Sequence, residues 1–87
     1  MSTISQPVAA RVEELLREEL RELGVTLTEL QPHEIAAHMR CEVYPDESMV
    51  YMWKGEYLLR VVPEKNDAGE VLRWRMFTRN DMTETVQ

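Results

Sequence analysis

The sequence predicts an α+β fold in which two N-terminal helices pack on a four-stranded antiparallel β-meander, and three observations point to it. Apolar residues recur at helical spacing between residues 8 and 23. From residue 40 to 78 they alternate with polar residues in short runs rich in valine, tyrosine, tryptophan and methionine. Those runs are separated by turn-forming clusters, Pro45-Asp46-Glu47-Ser48, Lys54-Gly55 and Asn66-Asp67-Ala68-Gly69.

The first helix is predicted over residues 6–23. Val8, Val12, Leu15, Leu16, Leu20 and Leu23 form one stripe, and Glu13, Glu14, Arg17, Glu18, Arg21 and Glu22 fill the opposite side. Ser5 suits the N-cap and Pro7 the first turn, while Gly24 sits where a left-handed residue ends a helix and Val25 can turn back on Leu20. A second, shorter helix is predicted within 30–39, with Pro32 at its first position and Glu34 at its third; Gln31 is a weak cap.

Strands are expected near 40–44, 49–53, 56–63 and 70–78. A two-residue loop at Lys54-Gly55 sets Trp53 opposite Glu56, and four-residue loops set Tyr44 opposite Met49 and Lys65 opposite Glu70. These registers place Cys41, Val43, Val50, Met52, Tyr57, Leu59, Val61, Leu72, Trp74 and Met76 on the face turned to the first helix. The other face receives Arg40, Glu42, Tyr44, Met49, Tyr51, Trp53, Leu58, Arg60, Val62, Arg73, Arg75 and Phe77. Residues 1–81 are expected to form the single domain and 82–87 a flexible C-terminal tail.

Composition narrows the function classes. A chain of 87 residues with 44% apolar and 30% charged residues has room for one core, and a domain this size buries only about 60–65% of its unfolded surface. The net charge of −6 is split evenly between residues 1–40 and 41–87, so the whole chain is repelled by phosphate backbones and nucleic acid is not the expected partner. One cysteine, Cys41, permits no internal disulfide. With neither a basic, apolar leader nor an apolar run long enough to span a bilayer, a cytoplasmic protein without membrane contact is expected.

The residues that could suggest catalysis or metal binding each have another explanation. His33-Glu34 followed by His38 departs from the HExxH zinc pattern by one residue, and a five-residue step sets the two imidazoles roughly 140° apart around a helix. Cys41 lies near both histidines in sequence, but on the helix-facing side of the sheet it is a buried thiol with a raised pKa rather than a nucleophile. Gly24, Gly55 and Gly69 are each taken by a cap or a turn, leaving no phosphate-cradling loop. No catalytic residue, cofactor or metal is therefore expected.

An alternative threading places the chain on a winged helix, with Glu34 to Met39 in the first helix of a helix-turn-helix and Arg73, Arg75 and Arg79 arming the wing. Tyr51-Met52-Trp53-Lys54-Gly55 resembles in part the stretch that closes the recognition helix of excisionase-like and MerR-like DNA-binding modules, which implies a DNA-binding regulator. Against it, the turn between the helices is long and the recognition helix carries Asp46 and Glu47 with only Lys54 as a cation. Met49 to Trp53 is also better strand than helix material.

The remaining expectation is a non-catalytic protein-binding module. Tyr51, Trp53, Arg60, Arg73, Arg75 and Phe77 on one sheet face are the residue types enriched at protein interfaces, and they suit a protein partner or self-association into a homodimer. The carboxylate row of the first helix, Glu14, Glu18 and Glu22, is a second candidate surface for a basic partner. Small acidic chains without catalytic equipment are common among regulators, adaptors and phage-encoded inhibitors, and a small acidic regulator or inhibitor is the expected role.

Overall fold

The computed structural model describes residues 6–79 and 83–86. Helix α1 spans Gln6–Glu22, a 3₁₀ turn spans Leu27–Glu29, and helix α2 spans Pro32–His38. Five strands follow: β1 Met39–Val43, β2 Met49–Trp53, β3 Glu56–Lys65, β4 Val71–Thr78 and β5 Thr83–Val86. They form one sheet in sequence order, every neighbouring pair antiparallel. The α+β architecture read from the sequence, two helices followed by an antiparallel meander, is the architecture observed. Among the described residues no helix is long and apolar enough to cross a membrane.

Helix α1 forms where the apolar stripe lies, and Val8, Val12, Leu15, Leu16 and Leu20 are buried. It ends in a Schellman motif: the Val25 amide donates to Leu20 O (2.9 Å), the Gly24 amide donates to Arg21 O (3.0 Å), and Gly24 has φ +79. The proposed cap, Ser5, lies outside the described residues. Helix α2 begins at Pro32 and buries no residue. Its last turn runs straight into β1, the Met39 amide bonding Ile35 O.

The core is α1 on the centre of the sheet. Leu58, Leu59, Val61, Trp74 and Met76 are buried beneath Val8, Val12, Leu15, Leu16 and Leu20, and Trp53 closes one end. Burying these side chains supplies about 1.5–3 kcal/mol each, the main stabilising contribution available to so small a chain.

Four sequence-based expectations are corrected. The first is the facing of β2. The Lys54-Gly55 hairpin is as expected, with Lys54 at φ 49 and Gly55 at φ 83, but the register shifts between Tyr51↔Leu59 and Met52↔Tyr57. Leu58 is the extra residue of a β-bulge and points into the core, fully buried. Met49, Tyr51 and Trp53 therefore share the helix side with Leu59 and Val61, and Val50, Met52 and Tyr57 turn outward. The turn before β2 is also one residue shorter than expected: the Tyr44 amide donates to Ser48 O at 2.9 Å, so Tyr44 faces Ser48 and Val43 faces Met49. Within it Glu47 takes φ 70, and Asp46 Oδ1 accepts from the amide (3.0 Å) and hydroxyl (2.6 Å) of the buried Ser48. The two one-residue slips cancel for β1, which keeps its expected facing.

The second correction is a second bulge. Lys65 pairs with Val71 rather than with the expected Glu70, which faces Asn66, and Glu64 pairs with Arg73, so Leu72, expected in the core, is the extra residue and is 56% exposed. Third, residues 83–86 of the expected tail form β5, paired with β4 from Phe77↔Thr83 to Trp74↔Val86; Met82 and Gln87 lie outside the described residues. Fourth, Cys41 is exposed rather than buried, because α1 lies over β3 and β4 and leaves the β1 end of the same face uncovered. The winged-helix threading loses its recognition helix, since residues 49–53 are strand β2.

Candidate binding face

The outer face of the sheet, opposite α1, is built by cross-strand rows. Glu42, Val50, Arg60 and Phe77 form one row, and Val62 with Arg75 and Glu64 with Arg73 form the next two. Arg40, Met52 and Tyr57 form another on the far side of the bulge. Helix α2 does not cover this face. Its last residue, His38, sets its ring edge-on against Trp53, centroids 5.5 Å apart, and Trp53 belongs to the α1 side.

Arg60, Arg73, Arg75 and Phe77, four of the six residues predicted for the contact face, are brought together here. Tyr51 and Trp53 are not. Trp53 is only 5% exposed. Tyr51 is half-buried with its hydroxyl beside Cys41; burial first, then the neighbouring thiol, push its pKa up to about 12. Val50, Met52 and Tyr57, expected on the opposite face, lie here instead. The adjacent pair Leu58-Leu59 was the available signal, since two neighbouring leucines both reach one core only through a bulge.

The arginines differ in state. Glu64 sits between Arg73 and Arg75, ion-paired to Arg73 and 3.2 Å from Arg75 Nη1. Arg75 also stacks its guanidinium over the Phe77 ring at 5.5 Å. Tyr57 donates its hydroxyl across the sheet to the Phe77 backbone O at 2.8 Å, which orients the Tyr57 ring. Arg60 is exposed and takes part in none of the ion pairs formed among the described residues. It stands between two open depressions. One, of about 460 Å³, is lined by Tyr57, Arg60, Val62, Glu64, Arg75 and Phe77. The other, of about 520 Å³, is lined by Tyr44, Pro45, Asp46, Ser48, Val50 and Arg60. In the second, hydrogen bonds from the Ser48 hydroxyl and then its amide hold the Asp46 carboxyl below its ordinary pKa, and the Tyr44 hydroxyl, bonded to Glu42 at 3.1 Å, has its pKa raised by that bond.

The carboxylate row of α1 is less open than its sequence implies. Arg11 reaches Glu14 at 2.9 Å and Glu18 at 3.9 Å, and Arg17 pairs with Glu13 at 2.7 Å. Glu19, an adjacent member, turns inward and is buried. Desolvation raises its pKa, Glu22 adds repulsion, and Arg79 and the Thr78 hydroxyl offset part of this. One Glu19 oxygen finds no hydrogen-bond partner among the described residues.

His33, His38 and Cys41 are all exposed, and among the described residues no three His, Cys, Asp or Glu side chains gather to hold a metal ion. Comparison with protein-family models, curated proteins and solved structures finds no match.

Proposed function

We propose that this chain is a non-catalytic protein-binding module, a small acidic regulator or inhibitor, and that it takes hold of its partner with the outer face of the sheet. The observation that carries the reading is Arg60: an exposed guanidinium without an ion pair among the described residues, set between two depressions whose linings mix Tyr44, Val50, Tyr57, Val62 and Phe77 with the charged Asp46, Glu64 and Arg75. Such a surface suits a segment that brings a carboxylate to Arg60 and apolar side chains to its flanks. Arg75, already held by Glu64 and stacked on the Phe77 ring, and Tyr57, bonded to Phe77 O, lose little freedom on binding and so favour affinity. Local positive charge on an acidic chain also gives the partner one attractive approach and several repulsive ones. A reducing, cytoplasmic setting suits the single exposed thiol.

The test is affinity capture of a partner from host lysate with the parent chain and with Arg60→Ala and Phe77→Ala variants, each first shown to be folded by circular dichroism. Loss of the same captured species with both variants, at a cost of about 1–2 kcal/mol or more each, is expected. If that species is retained by both variants and released by reversing Glu14, Glu18 and Glu22, the acidic helix is the working surface and the outer face is not.

A further inference from the structure

Strand β1 is an edge whose open side is defined by two hydrogen bonds. The Lys54 amide donates to His38 O at 3.0 Å just before the strand, and the Tyr44 amide donates to Ser48 O at 2.9 Å just after it. Hydrogen-bonded residues alternate along an antiparallel pair, so Arg40 and Glu42 turn their backbone groups toward β2. The backbone N–H and C=O groups of Cys41 and Val43, and the C=O of Met39, then point away from the sheet; the Met39 amide is taken by α2. Residues 40–43 are all exposed, and Val43 is 69% exposed. Unpaired strand edges of this kind are templates for another strand, and proteins that avoid pairing keep them short or blunt them with charged side chains, proline or bulges. β1 is five residues long, holds neither a proline nor a bulge, and its two charges, Arg40 and Glu42, are of opposite sign.

We propose that β1 pairs antiparallel with β1 of a second copy of this chain, about a two-fold axis at Cys41. Charge selects both the occupant and the register. Because the outward backbone groups lie on odd-numbered residues, a symmetric pairing can centre on residue 40, 41 or 42. Centring on 40 sets two Arg40 side chains opposite each other, and centring on 42 sets two Glu42 side chains opposite each other, both repulsive. Centring on Cys41 sets Arg40 of each copy opposite Glu42 of the other. Two cross-strand ion pairs form at once, and Arg40 has no competing ion pair among the described residues. In the same register Val43 meets Met39 of the second copy on the helix side, covering apolar surface that α1 leaves bare. The result is a closed, isologous contact that joins two sheets into one. It uses the strand edge and not the Arg60 depressions, so it stands or falls separately from the proposed function.

Sedimentation of the full chain under reducing conditions, over a range of concentrations up to millimolar, is the experiment. A monomer–dimer equilibrium is expected. Arg40→Glu alone and Glu42→Arg alone each weaken it by about tenfold or more, because each replaces two attractive pairs by two repulsive ones. The double exchange Arg40→Glu with Glu42→Arg restores it. Facing Cys41 residues in a hydrogen-bonded antiparallel pair have Cα atoms about 5.5 Å apart, within disulfide reach. Mild oxidation with diamide, which accepts the two thiol hydrogens, therefore links the dimer covalently, and Cys41→Ser abolishes the link without abolishing the dimer. A chain that stays monomeric at millimolar concentration, a dimer indifferent to either single reversal, or a double exchange that fails to restore pairing each overturns the proposal.

Discussion

Replacing Trp53 by alanine tests the side on which this tryptophan lies, and with it the facing of β2. Trp53 is 5% exposed at the end of β2, edge-on to the His38 ring at 5.5 Å. Removing an indole from such a site forfeits its transfer free energy and leaves a cavity that the neighbouring strands cannot fully close, at about 3–5 kcal/mol. A chain of 87 residues has a total stability of about 4–13 kcal/mol at the usual value per residue. The change therefore removes a large share of it and lowers the midpoint of thermal unfolding by at least about 12 °C. Urea and thermal unfolding followed by far-ultraviolet circular dichroism measure this directly, and Trp74 leaves a fluorescence probe in the variant. A Trp53→Ala chain within about 0.5 kcal/mol of the parent would place the indole on the surface, remove the bulge at Leu58 and refute the register. If the variant loses a partner, the loss is expected to track its unfolded fraction.

Two further outcomes follow from the same geometry. Leu58→Ala is expected to cost about 2–5 kcal/mol and Leu72→Ala less than about 0.5, an inversion of the ranking that an unbulged meander gives, read by the urea midpoint of each variant. Glu19 is the pH-sensitive element. Its folded pKa lies above the ordinary value of 4.5, so the native state holds this proton more tightly than the unfolded chain does. The penalty is absent below the ordinary value, grows as pH rises through the raised one, and is fully present at neutral pH. Glu19→Gln is thus expected to unfold at higher temperature than the parent at pH 7, with the advantage shrinking as the pH falls; an advantage that grows toward acid would refute the sign.

How far the fold was legible depended on which rules were local. The Leu and Val stripe, Gly24 and the Lys54-Gly55 turn each act over a few residues, and α1 with its Schellman end and the first tight hairpin appear where those residues place them. The facing of β2 was not legible in this way. It depends on a bulge that no single residue demands. The bulge arises because Leu58, Leu59 and Trp53 can all be buried together only if β3 gains a residue against β2, a requirement set by α1 from the other side of the sequence. The turn at 45–47 shows the same limit on a smaller scale: it closes one residue tighter than expected, with Glu47 at φ 70 and Asp46 bonded to Ser48, a conformation that Glu47, not being glycine, does not announce. Strand β5 had little signal, since Thr83-Glu84-Thr85-Val86 is short and its pairing is supplied by β4.

The β3–β4 register also changes why the outer face is suited to a partner. In the register expected from the sequence, with Lys65 opposite Glu70, Arg60 stands directly opposite Arg75, and a partner's carboxylate is needed to relieve two like charges. In the observed register Arg60 is flanked by Val50 and Phe77, and Val62 faces Arg75, while Glu64 already neutralises part of the Arg73 and Arg75 pair. The face therefore offers at Arg60 an exposed cation flanked by Val50 and Phe77, with Asp46 close enough to feel its charge, rather than a repelling cluster. An incoming carboxylate gains Coulomb attraction at that point and apolar contact beside it. Glu64→Gln leaves Arg60 untouched but frees Arg73 and Arg75, so it is expected to strengthen binding of an acidic partner and to steepen its salt dependence, whereas Arg60→Ala weakens binding and flattens it. Titrations at two ionic strengths separate these outcomes, and a Glu64→Gln variant that binds more weakly than the parent would show that the ordered Arg75–Glu64 pair, not Arg60, is what the partner reads.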